Sequence, residues 1–191
     1  MQKPPLTVLG VAEAAAEYRM ARPSDRPGTV AQDALAAEMV AADGFTMIVE
    51  SHFAEMYRLS PQEKVVLIRQ GRPASDLGAL AAAMAVPKEM LIDALGYSRA
   101  TINRKAREAD LLSSEESERL LGLEAMIGQV ETLVAESGDP GGFNAAHWLG
   151  DWMSMPLPSL GGRTPASYFD TVEGQKLVAQ LLAMVQSGAY A

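Results

Sequence analysis

The side chains that most often carry out chemistry are scarce in this chain of 191 residues. It contains no cysteine, which excludes disulfides, thiol nucleophiles and cysteine-ligated metals. Its two histidines, His52 and His147, lie far apart in the sequence, and neither has a second ligand at the spacing of a zinc site. No nucleophile with a neighbouring base, pair of carboxylates or phosphate-binding glycine loop is evident. We therefore predict that the protein is not an enzyme and has no metal and no cofactor.

Basic and hydroxyl side chains that could contact DNA are concentrated in one short stretch. The chain as a whole is acidic, with a net charge of −8, whereas nucleic-acid binders usually carry a basic surplus. Any DNA contact must therefore come from a local patch. The predicted DNA-binding residues are Ser98, Arg99, Thr101, Arg104 and Lys105.

The sequence around this patch has the layout of a helix-turn-helix. Gly96 permits the tight turn, Ser98 caps the second helix, and the two helices are joined by Leu91, Leu95 and Ile102. Ile92 stands where the helix crossing usually has a small residue, which predicts either a wider crossing or an adjusted core. Such units also serve as packing or dimerisation modules, so DNA binding and a packing role are both open at this point.

The elements that must position these residues are helices with clear end signals. Three predicted capping boxes are Ser60 with Glu63, Ser113 with Glu116, and Asp170 with Glu173. Gly96 and Gly188 mark helix ends. Because no strand pattern is found, we predict an all-α fold.

Residues 1–55 form an N-terminal extension whose role the sequence does not indicate. Its first part is rich in alanine, proline and charge, which is typical of a loose arm. Farther along, one helical stripe is predicted by Leu35, Met39 and Ala42. An apolar cluster that we expect to pack onto the following residues consists of Phe45, Ile48, Val49 and Phe53.

Two uncommon motifs stand close together in the C-terminal third. The first begins at Trp152 and reads WMSMPLPSLGGRTP, and the second begins at Phe169 and reads FDTVEGQKLV. Upstream, residues 66–74 read VLIRQGRPA and residues 112–120 read LSSEESERL. In this order, over residues 60–191, the chain resembles the Xre/MbcA/ParS antitoxin family. It departs from the family at Leu157, where asparagine is common, and at Met153, where leucine is usual.

The resemblance implies an Xre-like helix-turn-helix domain at residues 56–120 and a small helical toxin-binding domain at residues 121–191. It also implies an antitoxin whose partner is a RES-domain toxin that consumes NAD by hydrolysis, phosphorolysis or ADP-ribose transfer. Family antitoxins place their C-terminal end at the mouth of the NAD cleft of the toxin. The implied toxin-binding residues are Leu160, Gly161, Gly162, Arg163, Thr164, Gly188, Tyr190 and Ala191.

The C-terminal tail suits that role in its residue types. Gly188 releases the chain from its helix, Tyr190 offers an aromatic anchor with a polar tip, and Ala191 presents a carboxylate. The same motifs also have purely structural readings. Leu-Gly-Gly is a loop that requires positive φ, and Trp148 and Trp152 are expected to lie mostly in the core.

Repression of its own operon through DNA is the expected second activity of such an antitoxin. A homodimer is expected because helix-turn-helix proteins usually bind DNA as symmetric dimers, and a larger assembly forms with the toxin. The alternative is a stand-alone helix-turn-helix transcription regulator without a toxin partner. No apolar run long enough to span a membrane and no secretory signal is visible, so a cytoplasmic location is expected.

Overall fold

The computed structural model describes residues 51–136 and 142–186. Within these ranges the backbone forms helices, 3-10 turns and two isolated β-bridges, and no β-strand is present. The predicted all-α fold is confirmed. The predicted stripe of Leu35, Met39 and Ala42 lies outside the described residues.

Eight α-helices follow one another in the described ranges. They are α1 (His52–Arg58), α2 (Pro61–Gln70), α3 (Asp76–Ala83), α4 (Lys88–Ala94), α5 (Arg99–Arg107), α6 (Ser114–Glu136), α7 (Ala145–Trp152) and α8 (Val172–Gln186). Two short 3-10 helices, Pro158–Leu160 and Pro165–Tyr168, lie between α7 and α8.

Two of the three predicted capping boxes are confirmed. At the start of α2, the Glu63 backbone N–H donates to Ser60 Oγ, and the Ser60 backbone N–H donates to Glu63 Oε2 at 2.8 Å. Ser113 and Glu116 make the same exchange before α6. The third prediction is wrong: the Gly174 N–H donates to Thr171 Oγ1 at 3.1 Å. Thr171 is therefore the N-cap of α8, and Asp170 precedes this cap by one residue.

The long helix α6 is the centre of the fold. Helices α1, α2, α7 and α8 all pack against it, and α1 does so most extensively. Helices α1 and α6 can approach closely at Gly128 because this residue has no side chain. A Cβ at this position would lie 1.9 Å from the Phe53 carbonyl oxygen of α1. One hydrophobic core contains side chains from both halves, among them Leu91 of α4 and Val178 of α8. The domain division at residue 121 stays a prediction, and that residue lies inside α6.

A buried ion pair joins three segments of the helix-turn-helix half. Arg72 donates through Nη1 and Nη2 to both carboxylate oxygens of Glu124 on α6, at 2.9 and 3.1 Å. Its Nε and Nη2 also donate to Asp76, the first residue of α3. Glu124 is only 3% exposed, so Arg72 is the charge that makes its burial tolerable.

Candidate functional site

The helix-turn-helix predicted from Gly96 is present as α4, a tight turn and α5. Gly96 has φ +67°, and Ser98 Oγ accepts from the Thr101 backbone N–H at the start of α5. Ile102 of α5 is fully buried and fixes the second helix on the core. Ile92 is also fully buried, so the core accommodates the larger residue at the crossing.

The direction of Ile102 determines which side chains of α5 point outward. With about 100° per residue, the side of the helix opposite a buried Ile102 carries residues 100, 104 and 107, and residues 101 and 103 lie about 100° to either side of Ile102. Asn103, Arg104 and Arg107 are exposed. Arg104 is among the predicted DNA-binding residues, whereas Asn103 and Arg107 are not. The helical period measured from Ile102 would have placed Arg107 on this side.

The predicted basic patch is largely neutralised by neighbouring carboxylates. Arg99 Nε donates to Asp93 Oδ1 at 2.8 Å, and Arg104 pairs with Glu108 one turn later. The hydrogen bond from Arg99 lowers the pKa of Asp93 below its ordinary value. Both pairs are exposed to solvent and can exchange partners at low cost.

Lys105 differs from the other basic residues of α5. It lies beside Ile102 on the side that faces α6, and its Nζ donates to Glu116 Oε2 at 2.6 Å. Its side chain is only 12% exposed. The structure therefore gives Lys105 a role in fixing α5 on α6.

The C-terminal segment packs directly on the turn of the helix-turn-helix. A Cβ on Gly96 would lie 2.9 Å from the Cβ of Asp170. Arg119 of α6 donates to the Asp170 carbonyl oxygen at 2.9 Å, and its guanidinium lies 5.2 Å from the ring centre of Tyr97. Burial raises the pKa of Tyr97, whose hydroxyl donates to the Glu116 carbonyl oxygen. The turn of the helix-turn-helix and the segment before α8 are thus in direct contact.

Two glutamines hold α8 on α6. Gln175 Nε2 donates to the carbonyl oxygens of Arg119 and Phe169, each at 3.0 Å. Gln129 Nε2 donates to the Ala179 carbonyl oxygen at 3.0 Å. These hydrogen bonds hold the first two turns of α8 on α6. Of the predicted tail residues, Gly188, Tyr190 and Ala191 lie outside the described residues.

The predicted Leu-Gly-Gly loop is an exposed turn with an internally bonded backbone. Gly161 and Gly162 have φ +64° and +81°, and no atom lies within 4 Å of a Cβ built on either. The N–H groups of residues 161–163 all donate to carbonyl oxygens of residues 157–160. Leu160 is only 7% exposed and anchors the loop from inside. Thr164 is half-buried before the second 3-10 helix.

Arg163 is the exposed cation of this loop. Its backbone carbonyl accepts from the Leu157 N–H at 2.9 Å, which holds the residue in place. Among residues 51–136 and 142–186, no group accepts a hydrogen bond from its guanidinium. Unlike Arg99 and Arg104 of α5, Arg163 therefore has no ion pair to break within the described ranges when a partner binds.

Apolar side chains are exposed near this loop and on α8. Leu177 and Met184 are 39% and 37% exposed, and they lie two turns apart on one side of α8. Trp148 is 7% exposed and stacks on the half-buried Trp152 at 5.7 Å, so the core role predicted for Trp148 is confirmed. His147 is half-buried on the same helix.

The described part of the chain lacks two further features. It contains no group of three His, Cys, Asp or Glu side chains that could hold a metal ion. None of its helices is both long and apolar enough to cross a membrane.

Comparisons with known proteins find matches for both halves of the chain. Residues 55–124 match the model of the antitoxin Xre-like helix-turn-helix domain, and residues 142–188 match that of the antitoxin Xre/MbcA/ParS C-terminal toxin-binding domain. The chain is also similar to a protein of Sphingobium sp. (strain YBL2) named Prs ADP-ribosylating antitoxin. The two are 45% identical over 139 residues, which cover 73% of this chain and 87% of that protein. This chain therefore belongs to the Xre/MbcA/ParS antitoxin family.

Proposed function

We propose that the chain binds and neutralises a RES-domain toxin that consumes NAD, and that its C-terminal end blocks the active site of that toxin. The observation that carries this proposal is the match of residues 142–188 to a toxin-binding domain. The exposed side chains of that segment support it, because the basic group of Arg163 and the apolar side chain of Leu177 face solvent there. Since both NAD and an operon are found in the cytoplasm, we place the protein there.

The toxin-binding surface that we propose combines the loop at residues 161–163 with the exposed side of α8. Gly161 and Gly162 carry no Cβ, so a partner backbone can approach closely. Arg163 supplies a cation, and Leu177 supplies apolar area that contact with toxin would bury. Leu160 and Thr164 support this surface from behind.

The tail formed by Gly188, Tyr190 and Ala191 is proposed to enter the NAD site. Its starting point favours this, because α8 is held on α6 by Gln175 and Gln129. A segment that leaves a fixed helix loses less freedom on binding than one that leaves a mobile arm. The name of the Sphingobium relative contains the term ADP-ribosylating. Among the three possible reactions of the toxin, we therefore propose ADP-ribose transfer.

Neutralisation can be tested by expressing the neighbouring toxin gene with variants of this chain. Deletion of residues 189–191 is expected to abolish rescue of growth while the two proteins still co-purify. Leu177→Asp and Arg163→Glu are each expected to weaken the complex by about 10- to 100-fold, because they alter the central contact surface. Arg104→Ala on α5 is the control and should leave the complex unchanged.

The results separate the parts of the proposal. Full rescue by the deleted chain would contradict the blocking role of the tail. Undiminished binding by both surface variants would place the toxin contact elsewhere. Absence of any toxic neighbour would favour the alternative of a stand-alone transcription regulator.

We further propose that a homodimer binds operator DNA through α5 and represses its own operon. The observation that favours this is the exposed side of α5, which carries one amide and two guanidinium groups, the types that contact bases and phosphates. Ser98, Arg99 and Thr101 flank this side at the start of the helix. The DNA-binding residues that we propose are therefore Ser98, Arg99, Thr101, Asn103, Arg104 and Arg107, with Lys105 in a positioning role.

A further inference from the structure

Helix α2 is exposed in a way that its sequence does not explain. None of its ten residues is buried, although four consecutive side chains, Val65 to Ile68, are aliphatic. Val65 is 43% exposed and Val66 is 52% exposed. Contact with α6 leaves Leu67 and Ile68 half-buried but does not cover these two valines. The apolar side of α2 therefore calls for a further contact.

An apolar groove of about 440 Å³ runs between α1 and α2. Its lining includes Met56 and Leu59 from the first helix and its end, and Val66 and Leu67 from the second. Glu55 and Glu63 also belong to its lining. A groove between two helices with apolar walls suits one short apolar segment.

The chain itself brings such a segment to the groove. Residues 44–49 read GFTMIV, which contains four large apolar side chains and no charge. A neutral segment suits a groove whose lining includes two glutamates. The flanking Asp43 and Glu50 would be repelled by these glutamates and would have to stay outside the groove. The segment lies before residue 55, where the match to the helix-turn-helix domain begins.

The entry point of the chain makes this contact reachable. Ser51 Oγ accepts from the Ala54 N–H and caps α1, and it also donates to Glu131 of α6. The position of residue 51 is thereby fixed at the start of α1, one turn before the groove. Helix α1 has seven residues and is about 10 Å long. The six residues before Ser51 can span about 20 Å when extended.

We infer that residues 45–49 fold back along α1 and dock in the α1–α2 groove. A short tether gives such a segment a millimolar effective concentration. A second copy of the chain would need a dissociation constant far below that value to displace it at micromolar protein. The N-terminal extension then has a role: it covers the apolar side of α2 and keeps it from associating with other proteins.

The absence of cysteine from the sequence makes a direct test possible. The full chain is prepared with Ile48→Cys together with Val66→Cys, and it is oxidised gently at low protein concentration. A disulfide within one chain is expected, which migrates as a compact monomer on a non-reducing gel. The matched control combines Ile48→Cys with Val65→Cys, because Val65 is about 100° away around the helix and does not line the groove. Several-fold less cross-linking is expected there.

Two results would overturn the inference. Equal cross-linking at positions 65 and 66 would show that the segment has no preference for the groove. Disulfide-linked dimers that form only with position 66 would show that a second copy occupies it. Circular dichroism of each reduced variant verifies that the helices are intact.

A second measurement does not depend on disulfide geometry. In a chain with Val66→Cys alone, docking should protect the thiol from a maleimide reagent. Adding Phe45→Ser and Ile48→Ser should raise the labelling rate about tenfold, as expected when a docked population of roughly 90% is lost. An unchanged rate would refute docking. Added Thr46→Ser is the control, because it keeps the apolar side chains.

Discussion

The two candidate binding surfaces of this antitoxin differ in how far their cations are paired with carboxylates. On α5 the predicted cations Arg99, Arg104 and Lys105 each pair with a carboxylate of the same half. On the C-terminal loop, Arg163 has no such partner within the described ranges, and α8 exposes Leu177. Three of the four cations of α5 are thus paired before a ligand binds, whereas Arg163 is unpaired within the described ranges.

This difference teaches how each surface can gain affinity. Arg99 and Arg104 must exchange a carboxylate for a phosphate, and exposed ion pairs are worth only about 0.2–1 kcal/mol, so this exchange is feasible. The net gain from each contact is nevertheless small, and two copies on one operator would be needed for tight binding. Within the described ranges Arg163 has no ion pair to lose, although Glu173 and Lys176 pair on α8, and the C-terminal surface gains mainly by burying apolar area.

The largest expected effect comes from breaking the most deeply buried ion pair. Arg72→Met should destabilise the protein by about 3–5 kcal/mol, because Glu124 would stay buried with only His52 Nε2 near it, at 3.6 Å, and His52 is a cation only when protonated. Since one core contains side chains of both halves, both surfaces should be lost together in a single thermal transition. Arg69→Met on exposed α2 is the matched control and should change stability by less than about 0.5 kcal/mol. Similar stability of the two variants would contradict the structural role of Arg72.

A smaller effect should separate two basic neighbours on α5. Arg104→Ala should weaken binding to the promoter DNA of the operon by about 1–3 kcal/mol and reduce the slope of its salt dependence. Lys105→Met should leave that slope unchanged and lower the thermal stability instead, because its amine is engaged with Glu116. Binding can be followed by fluorescence anisotropy at several salt concentrations. Equal loss of salt dependence in both variants would place Lys105 at the DNA.

Local features of the fold were predictable because they depend on neighbouring residues. The capping boxes at Ser60 and Ser113 use side chains three positions apart, and the turn at Gly96 needs a positive φ that glycine adopts readily. The cap of α8 was misplaced by one residue. Asp170 and Thr171 are both good capping residues, and Asp170 is instead held at the junction with Arg119.

Contacts between distant residues were not predictable from one sequence. Arg72 and Glu124 are 52 positions apart, and neither stands in a local pattern that indicates the other. The pairing of Lys105 with Glu116 was missed for the same reason. From the sequence, Lys105 is a basic residue of the second helix of the helix-turn-helix. Only its packing on α6 shows which way its side chain points.

The smallest expected effect concerns the pH dependence of that pairing. Burial alone would raise the pKa of Glu116, but hydrogen bonds from Lys105 and the Ser113 N–H outweigh it and lower the pKa below its ordinary value. A carboxylate with a lowered pKa in the folded state stabilises the fold above its unfolded pKa, and this stabilisation is lost as the pH falls through the folded value.

Glu116→Gln should therefore lower the melting temperature at pH 7 by about 2–4 °C. The difference in melting temperature from the unchanged chain should shrink below about pH 4.5, the ordinary pKa of a glutamate. It should disappear on further acidification. Glu115→Gln is the control, because it removes the same charge from the same turn at a side chain that is 79% exposed. Melting curves from pH 3 to pH 7 measure both variants. A difference in melting temperature for Glu116→Gln that stays constant with pH would mean that the charge of Glu116 does not fix α5 on α6. Lys105 would then no longer count among the α5 cations that a carboxylate balances.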